Sequence, residues 1–154
     1  MSSAVEQLAA LGLTLPPVTA PVAAYVPAVR TGSYVYVSGQ LPVVDGKLPA
    51  TGKVGDAVSA QDAAGLARTC ALNALAAAAE AAGGLDAIVR IVKVLGFVAS
   101  APGFNGQPQV VNGASELLIE VFGEAGRHAR SAVGVAELPL DAPVEVELIA
   151  EIRA

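Results

Sequence analysis

Ile88-Val-Arg-Ile-Val-Lys-Val-Leu-Gly-Phe-Val-Ala99 is the stretch of the sequence that decides the fold. Its β-branched residues favour a strand, and alternation places apolar side chains on both of its faces. We predict Ile88, Val92, Val94 and Val98 on one face, and Val89, Ile91, Leu95 and Phe97 on the other. A strand that is apolar on both faces must be covered on both faces. Helices of the same chain can cover one side, and the other side needs a second layer or a partner subunit.

The segments around this strand give the order strands, helix, strand, helix, strands. Before it, Ser59 is a candidate N-cap for a helix from Ala60 to about Ala82, which Gly83-Gly84 ends. After it, a second helix is predicted over Pro108–Phe122. Further strands are predicted over Ala23–Val29, Tyr34–Ser38, Ala129–Ala136 and Val144–Ile152, the last two as a pair. This order predicts an α+β fold with helices on one face of a mixed sheet.

A short helix is also predicted at the N-terminus. Ser3 and Glu6 have the spacing of a capping box, and Pro16-Pro17 are expected to end the helix. We interpret residues 1–22 as an N-terminal extension of one domain that covers residues 1–154.

Composition and charge exclude several classes of protein. The 154 residues are 54% hydrophobic and 15% charged, which leaves apolar surface to be covered by self-association. Polar and charged residues interrupt the longest apolar stretches, so no membrane partner is expected. A net charge of −5 without any basic run argues against a nucleic-acid partner. One cysteine and no recognisable signal peptide predict a cytoplasmic protein.

Three motifs follow one another at characteristic spacing. Tyr34-Val-Tyr-Val-Ser-Gly-Gln-Leu-Pro42 is a strand that ends in Ser-Gly-Gln-hydrophobic-Pro. Ala129-Arg-Ser-Ala-Val133 comes later, and Leu138-Pro139 precedes the closing strand Val144-Glu-Val-Glu-Leu-Ile-Ala150. Together they resemble the Rid (reactive intermediate deaminase, YjgF-type) family, also labelled endoribonuclease L-PSP. The resemblance covers the chain from Ala23 to its end.

This resemblance implies a chorismate-mutase-like fold that assembles as a homotrimer around a central barrel. A cleft is then expected between each pair of neighbouring subunits, and the barrel would cover the second apolar face of residues 88–99. The resemblance also implies hydrolysis of enamine or imine intermediates such as 2-aminoacrylate. The products would be 2-oxo acids and ammonia, and no metal or cofactor would be needed.

The family's functional residues have counterparts here. Arg130 matches the arginine that binds the substrate carboxylate, and Glu145 matches the acidic residue associated with the hydrolytic water. Tyr25 matches a tyrosine that closes the cleft. Ser38 and Gly39 match the segment that contacts substrate through hydroxyl and backbone groups. These matches predict a site for a small substrate that carries a carboxylate.

Asn112 and Ala132 complete the expected site, and Ala132 and His128 depart from the family pattern. Asn112 matches a family asparagine near the second helix. Ala132 stands where many members carry a cysteine that lines the site, and His128 stands where a proline is common. These departures indicate a divergent subgroup, which keeps the carboxylate pocket and changes its substrate or loses turnover.

The residue types themselves allow a functional and an ordinary interpretation. A guanidinium is a planar fork that fits a carboxylate, but Arg130 could also be a surface residue or a partner for Glu124. Glu145 could orient or deprotonate a water, or face solvent as Glu147 is expected to do. Tyr25 could donate a hydrogen bond or only pack.

Two other functions stay open beside the deaminase. A non-catalytic trimeric module that binds small carboxylates is favoured by the missing cysteine at Ala132. An endoribonuclease is disfavoured by the acidic charge balance and by the presence of a single histidine, His128. That histidine alone can build neither a metal site nor a nucleophilic triad.

Overall fold

A computed structural model describes residues 2–18, 20–21 and 23–154. Its centre is a five-stranded mixed sheet in the order β1-β2-β5-β3-β4. The strands are β1 (Ala28–Thr31), β2 (Tyr34–Gln40), β3 (Ile88–Ala99), β4 (Ala129–Val135) and β5 (Val144–Ile152). The described α-helices are α1 (Ala4–Ala10), α2 (Ala60–Ala82) and α3 (Gln107–Phe122). The β3–β4 pair is parallel and the other pairs are antiparallel, so the predicted α+β fold with a mixed sheet is confirmed.

Helix α1 begins where the sequence predicts but ends earlier. The Ser3 hydroxyl accepts from the Glu6 N–H at 3.1 Å, and the Glu6 carboxylate accepts from the Ser3 N–H at 2.8 Å. This reciprocal pair is the predicted capping box. The helix ends at Ala10, and Gly12 follows with a φ of +73°. Pro16-Pro17 therefore lie beyond the helix and do not end it.

Helix α2 has the predicted bounds because local signals define both of its ends. The Ser59 side chain accepts from the Asp62 N–H, and Gly83 closes the helix with a φ of +90°. The helix packs closely against α3 at Gly113, where any side chain would collide with the Ala64 carbonyl oxygen. The absence of a side chain at this position lets the two helices approach each other over the sheet.

The first strand is shorter than predicted. Of the predicted range Ala23–Val29, only its last two residues lie in β1, which begins at Ala28. The Gly32 turn, with a φ of +56°, pairs Thr31 with Tyr34 and fixes the register back to Ala28. Pro27, which has no N–H, only accepts a hydrogen bond from the Ser38 N–H at 2.8 Å. The segment before β1 is consequently a loop that carries Tyr25.

The predicted pairing of the last two strands is wrong, because β3 lies between β4 and β5. The chain leaves β3, crosses through α3 and returns as β4 parallel to β3, which is the usual connection of a parallel pair. Strand β5 then pairs antiparallel with the other edge of β3. A 3₁₀ turn at Pro139–Asp141 lies in the connection, with Leu140 and Asp141 at positive φ.

Strand β3 is apolar on both faces, but two of its residues lie on the face opposite to the one that simple alternation predicts. The pairing with β5 shifts between Ile88 and Arg90 and again between Ile91 and Lys93. These bulges turn Ile91 toward the helices, where it is fully buried, whereas Val92 is only partly buried. The predicted faces of Ile91 and Val92 are therefore wrong.

The two sides of the sheet have different surroundings. Along β5, the residues that face the helices are buried, as predicted: Val144, Val146, Leu148, Ala150 and Ile152. We call the opposite side the open sheet face; it carries Val29, Tyr34, Tyr36, Leu95, Phe97, Val133, Glu145, Glu147 and Ile149. Tyr34 and Tyr36 are more than 40% exposed there. In the described part of the chain, no helix is long and apolar enough to cross a membrane.

Candidate functional site

Arg130 projects from the edge strand β4 toward the helical side of the sheet. It lies beside Val94 of β3, which is fully buried under the helices. Its Nη1 donates to Asn112 Oδ1 at 2.7 Å and to Ser115 Oγ at 3.2 Å. Its Nη2 donates to the Pro108 carbonyl at 3.4 Å. Helix α3 thus holds the guanidinium through three hydrogen bonds.

These bonds leave one part of the guanidinium free. Among residues 2–18, 20–21 and 23–154, the Nε–H and the second Nη2–H of Arg130 have no acceptor, and no carboxylate forms an ion pair with it. Glu124 pairs with Arg127 instead, at 3.0 Å, so it is not the partner of Arg130. Two N–H groups in the plane of a fixed guanidinium can bind both oxygens of a carboxylate.

His128 and Ser115 extend this hydrogen-bonded group. His128 Nδ1 lies 2.6 Å from the Gly126 carbonyl oxygen, and Nε2 lies 2.8 Å from Ser115 Oγ. A carbonyl only accepts, so Nδ1 carries the proton and the neutral ring accepts at Nε2 from the Ser115 hydroxyl. Burial lowers the pKa of His128; the bond to Gly126 opposes this, and the charge of Arg130 adds to it. The neutral ring is therefore favoured.

Sequence reasoning missed Ser115 and underestimated His128. Pro108, Asn112, Ser115 and Ile119 recur at intervals of three and four residues and lie on one side of α3. Polar side chains at two of these positions were a usable signal. His128, which alone can build neither a metal site nor a triad, is half-buried and hydrogen-bonded through both ring nitrogens.

Glu145 lies on the open sheet face. Glu145 pairs with Phe97 of the neighbouring strand β3. Its side chain covers Gly39, where an added Cβ atom would stand 2.7 Å from Glu145 Oε1. Burial raises the pKa of Glu145, and the neighbouring carboxylate of Glu147 raises it further. A partly buried carboxyl group with a raised pKa accepts a proton more readily than an exposed one, which suits it to receive a proton from water and return it.

Tyr25 and Ser38 lie near Gly39. The Ser38 hydroxyl donates to the Val26 carbonyl at 2.7 Å, so it anchors the loop that carries Tyr25. Tyr25 is 51% exposed and lines, together with Gly39 and Leu140, a mostly apolar cavity of about 130 Å³. Ser38 therefore shapes this region through the backbone, and its hydroxyl proton is already engaged.

The predicted site residues form two groups on opposite faces of the sheet. The first comprises Asn112, Arg130 and Ala132, and the second comprises Tyr25, Ser38, Gly39 and Glu145. Arg130 on β4 and Glu145 on β5 are separated by β3, which puts them about 10 Å apart across the sheet. Their β3 partners are three residues apart, which adds about 10 Å along the strands. Within one protomer, these two side chains do not meet.

The remaining candidate chemistry was a thiol or a metal ion. Cys70 is buried in α2 with its sulfur 3.7 Å from the Val144 carbonyl oxygen, and burial raises its pKa well above the usual value. In the part of the chain that the structure describes, no group of three or more His, Cys, Asp and Glu side chains could hold a metal ion. The available chemistry is a guanidinium, a carboxyl group and neutral hydrogen-bonding groups.

Comparison with known proteins connects this geometry to a family. The model of the YjgF/chorismate mutase-like endoribonuclease family matches residues 5–152. The chain belongs to this family. A YjgF-family relative, protein TCP17 of Trypanosoma cruzi, is 45% identical over 144 residues, which cover 93% of this chain and 90% of TCP17.

Solved structures of the YjgF family share the fold. Atu1372 of Agrobacterium tumefaciens, a protein of unknown function, is 48% identical with a TM-score of 0.90. The match covers 97% of this chain and 92% of Atu1372. TdcF of E. coli with bound serine is 30% identical with a TM-score of 0.65, and the match covers 89% of this chain and 94% of TdcF. The similarity to these structures extends over nearly the whole chain.

Proposed function

We propose that this protein is a hydrolytic deaminase of small imine or enamine acids such as 2-aminoacrylate. The observation that carries the proposal is the partly satisfied guanidinium of Arg130. Three of its N–H groups are fixed by α3, and the remaining two lie free in the same plane. A fixed fork of this kind selects a planar carboxylate over a point anion. Bound serine in the related TdcF supports a ligand with a carboxylate.

The proposed active form is a homotrimer in which two subunits build each cleft. Arg130 and Glu145 of one protomer lie on opposite sheet faces, too far apart for one substrate of a few carbon atoms. A neighbouring copy can bring its Glu145, Gly39 and Tyr25 to the Arg130 group. The exposed tyrosines of the open sheet face support assembly, because large exposed apolar patches mark interaction sites.

The reaction follows from these two groups. The substrate carboxylate binds Arg130, and an enamine substrate first takes a proton from solvent on its terminal carbon to become the protonated imine. Glu145 removes a proton from water as the water oxygen bonds to the imine carbon, giving a carbinolamine. Glu145 then returns the proton to nitrogen, and the C–N bond breaks with its electron pair leaving on ammonia. The hydroxyl oxygen forms the carbonyl of the 2-oxo acid and gives its proton back to Glu145, which releases it to solvent. No electron acceptor is needed.

A second function, binding without turnover, has specific support. Ala132 supplies no functional group beside Arg130, and the Ser38 hydroxyl is committed to the Val26 carbonyl. The site would then hold small carboxylates in a cytoplasmic trimer for sensing or sequestration. Calorimetric titration with 2-oxobutyrate, run beside a turnover assay, separates the two functions, because this alternative requires binding without product formation.

The turnover assay uses purified protein and a source of 2-aminoacrylate. The intact protein should accelerate the formation of 2-oxo acid, and Arg130→Ala should remove the acceleration. Arg153→Ala is the matched control, since Arg153 is exposed and lies after the last strand. Absence of acceleration by an intact, assembled protein would refute the proposed catalysis, as would full activity of Arg130→Ala.

A further inference from the structure

The guanidinium of Arg130 is held by a chain of hydrogen bonds that begins on the backbone. The Gly126 carbonyl accepts from His128 Nδ1, His128 Nε2 accepts from the Ser115 hydroxyl, and Ser115 Oγ accepts from Arg130 Nη1. The backbone carbonyl fixes the ring tautomer, and the tautomer fixes the direction of the Ser115 O–H bond. The lone pair of Ser115 is thereby aimed at Arg130.

We propose that His128 and Ser115 are positioning residues that select which edge of the Arg130 guanidinium is offered to a substrate carboxylate. This inference rests on the proposed function in one respect only, that a carboxylate binds Arg130. Nη1 has two N–H groups, and Asn112 and Ser115 accept one each. The Nη1 side is therefore fully occupied. One Nη2–H donates to the Pro108 carbonyl, so the Nε–H and the other Nη2–H remain for the ligand.

Without the His128 acceptor, Ser115 would lose this orientation. A serine in a helix can donate to the carbonyl four residues earlier, which for Ser115 is the carbonyl of Val111. The hydroxyl would then be shared between alternatives, and Arg130 would keep Asn112 as its one firm partner on Nη1. A guanidinium that keeps only Asn112 and the long bond to the Pro108 carbonyl can turn about its Cδ–Nε bond. Its free N–H groups then tilt away from the ligand, which weakens two-point recognition of a carboxylate.

The Ser115–His128 pair also has the spacing of a nucleophile and its base, but its surroundings favour the positioning role. Ser115 is buried in the middle of α3, and its oxygen already accepts from Arg130. A nucleophile must reach the substrate and needs donors for the developing oxyanion. Arg130, by contrast, keeps free N–H groups that can bind a ligand.

A pair of isosteric substitutions tests the proposal. His128→Gln places a side-chain oxygen near the former Nε2 and can still accept from Ser115. His128→Asn reaches only the former Nδ1 and loses Ser115. Calorimetric Kd values for 2-oxobutyrate should rise about fivefold to tenfold in His128→Asn and in Ser115→Ala, as expected for one lost neutral hydrogen bond. His128→Gln should stay near wild type, and KM should change more than kcat.

A spectroscopic measurement gives a result that does not depend on the ligand. In protein labelled with ¹⁵N-arginine, a fixed Arg130 guanidinium should show separate Nη1 and Nη2 resonances. These should broaden and merge in His128→Asn and in Ser115→Ala, but not in His128→Gln. Arg127→Ala serves to assign the neighbouring arginine. Thermal melting and sedimentation check that each variant is folded and assembled.

The outcomes separate the two proposals. If wild type binds no carboxylate, the proposed function fails. Merging of the Arg130 resonances in His128→Asn would then show that His128 and Ser115 fix the guanidinium, but not that they serve carboxylate recognition. If wild type binds and His128→Asn matches it in Kd and in the Arg130 spectrum, the positioning role is overturned. Equal losses in His128→Gln and His128→Asn, in folded protein, would also overturn it, because Ser115 would then not need the acceptor.

Discussion

The side chain of Glu145 lies directly over Gly39, so close that a Cβ atom on Gly39 would stand 2.7 Å from Oε1 and 2.8 Å from Cδ of the glutamate. Strand pairing between β2 and β5 is irregular between Val37 and Gln40, and this irregularity brings Gly39 under the carboxyl group. The missing side chain at position 39 thus determines where the proposed base can lie.

Gly39→Ala should displace Glu145 with little loss of stability. The atoms in the way are the end of a flexible side chain, so the cost should be about 1 kcal/mol, typical of a strained rotamer. A misplaced base should lower kcat/KM about 100-fold. Thermal melting and turnover measure both effects. Adding Glu145→Asp to Gly39→Ala shortens the acidic side chain and should recover part of the rate. If Gly39→Ala alone lost no kcat/KM, a role for Glu145 would be contradicted.

Arg130→Lys should weaken carboxylate binding although it preserves the charge. An ammonium cannot satisfy Asn112, Ser115 and the Pro108 carbonyl while also offering two coplanar N–H groups. We expect the Kd for 2-oxobutyrate to rise about 10- to 100-fold by calorimetry, the range for hydrogen bonds to charged groups. Arg153→Lys, after the last strand, is the control and should bind normally. Equal affinity of Arg130→Lys and wild type would exclude two-point recognition.

The pH dependence of turnover should report Glu145. A general base must be ionised, so kcat/KM should fall as pH is lowered through the raised pKa of Glu145. Glu147→Gln removes a neighbouring negative charge that raises this pKa, so the acidic limb should move to lower pH. Glu151→Gln makes the same change farther along β5 and should leave the limb in place. If the acidic limb of the kcat/KM profile stays at the same pH in Glu147→Gln, the titrating group is not Glu145.

Much of the fold was predictable because its signals are local. The caps at Ser3 and Ser59, the helix stop at Gly83 and the alternation along β5 each depend on residues a few positions apart. Such signals act before any long-range contact forms, and they gave the helix starts and the inward face of β5 correctly.

The errors concern pairings and insertions that local patterns do not encode. Simple alternation assigned Ile91 and Val92 to the wrong faces. Each bulge in β3 inserts one extra residue, which reverses the face of the residues that follow it. The placement of β4 beyond β3 depends on the crossover through α3, which the order of strands along the chain does not reveal.

For the candidate site, sequence motifs predicted individual residues but not their grouping. Asn112 does meet Arg130, as expected for one site, whereas Glu145 lies on the other face of the sheet. Ser115 was missed because a serine within an apolar helix resembles ordinary core filling. Its partners become visible only when β4 is placed beside α3.

A charge on the open sheet face should abolish assembly and turnover together. Tyr36 is 47% exposed and lies between Val29 of β1 and Ile149 of β5. Tyr36→Glu should convert the proposed trimer to monomers in sedimentation analysis and reduce turnover to background, while far-UV circular dichroism stays native. Leu11→Glu, at the end of α1, is the control. A monomeric but fully active Tyr36→Glu would show that the site needs no second subunit.

Mixing two inactive variants tests directly whether the site is shared between subunits. Arg130→Ala retains Glu145, and Glu145→Gln retains Arg130. If each cleft takes Arg130 from one subunit and Glu145 from its neighbour, a mixed trimer contains clefts in which both residues are intact. Random assembly of an equal mixture restores about a quarter of the clefts, since each of the two contributing subunits is of the required kind half of the time. Unfolding and refolding the mixture should therefore recover about 25% of wild-type turnover, whereas separately refolded variants combined afterwards should recover none. A site contained in one protomer predicts no recovery under either protocol, because every protomer then lacks one of the two groups.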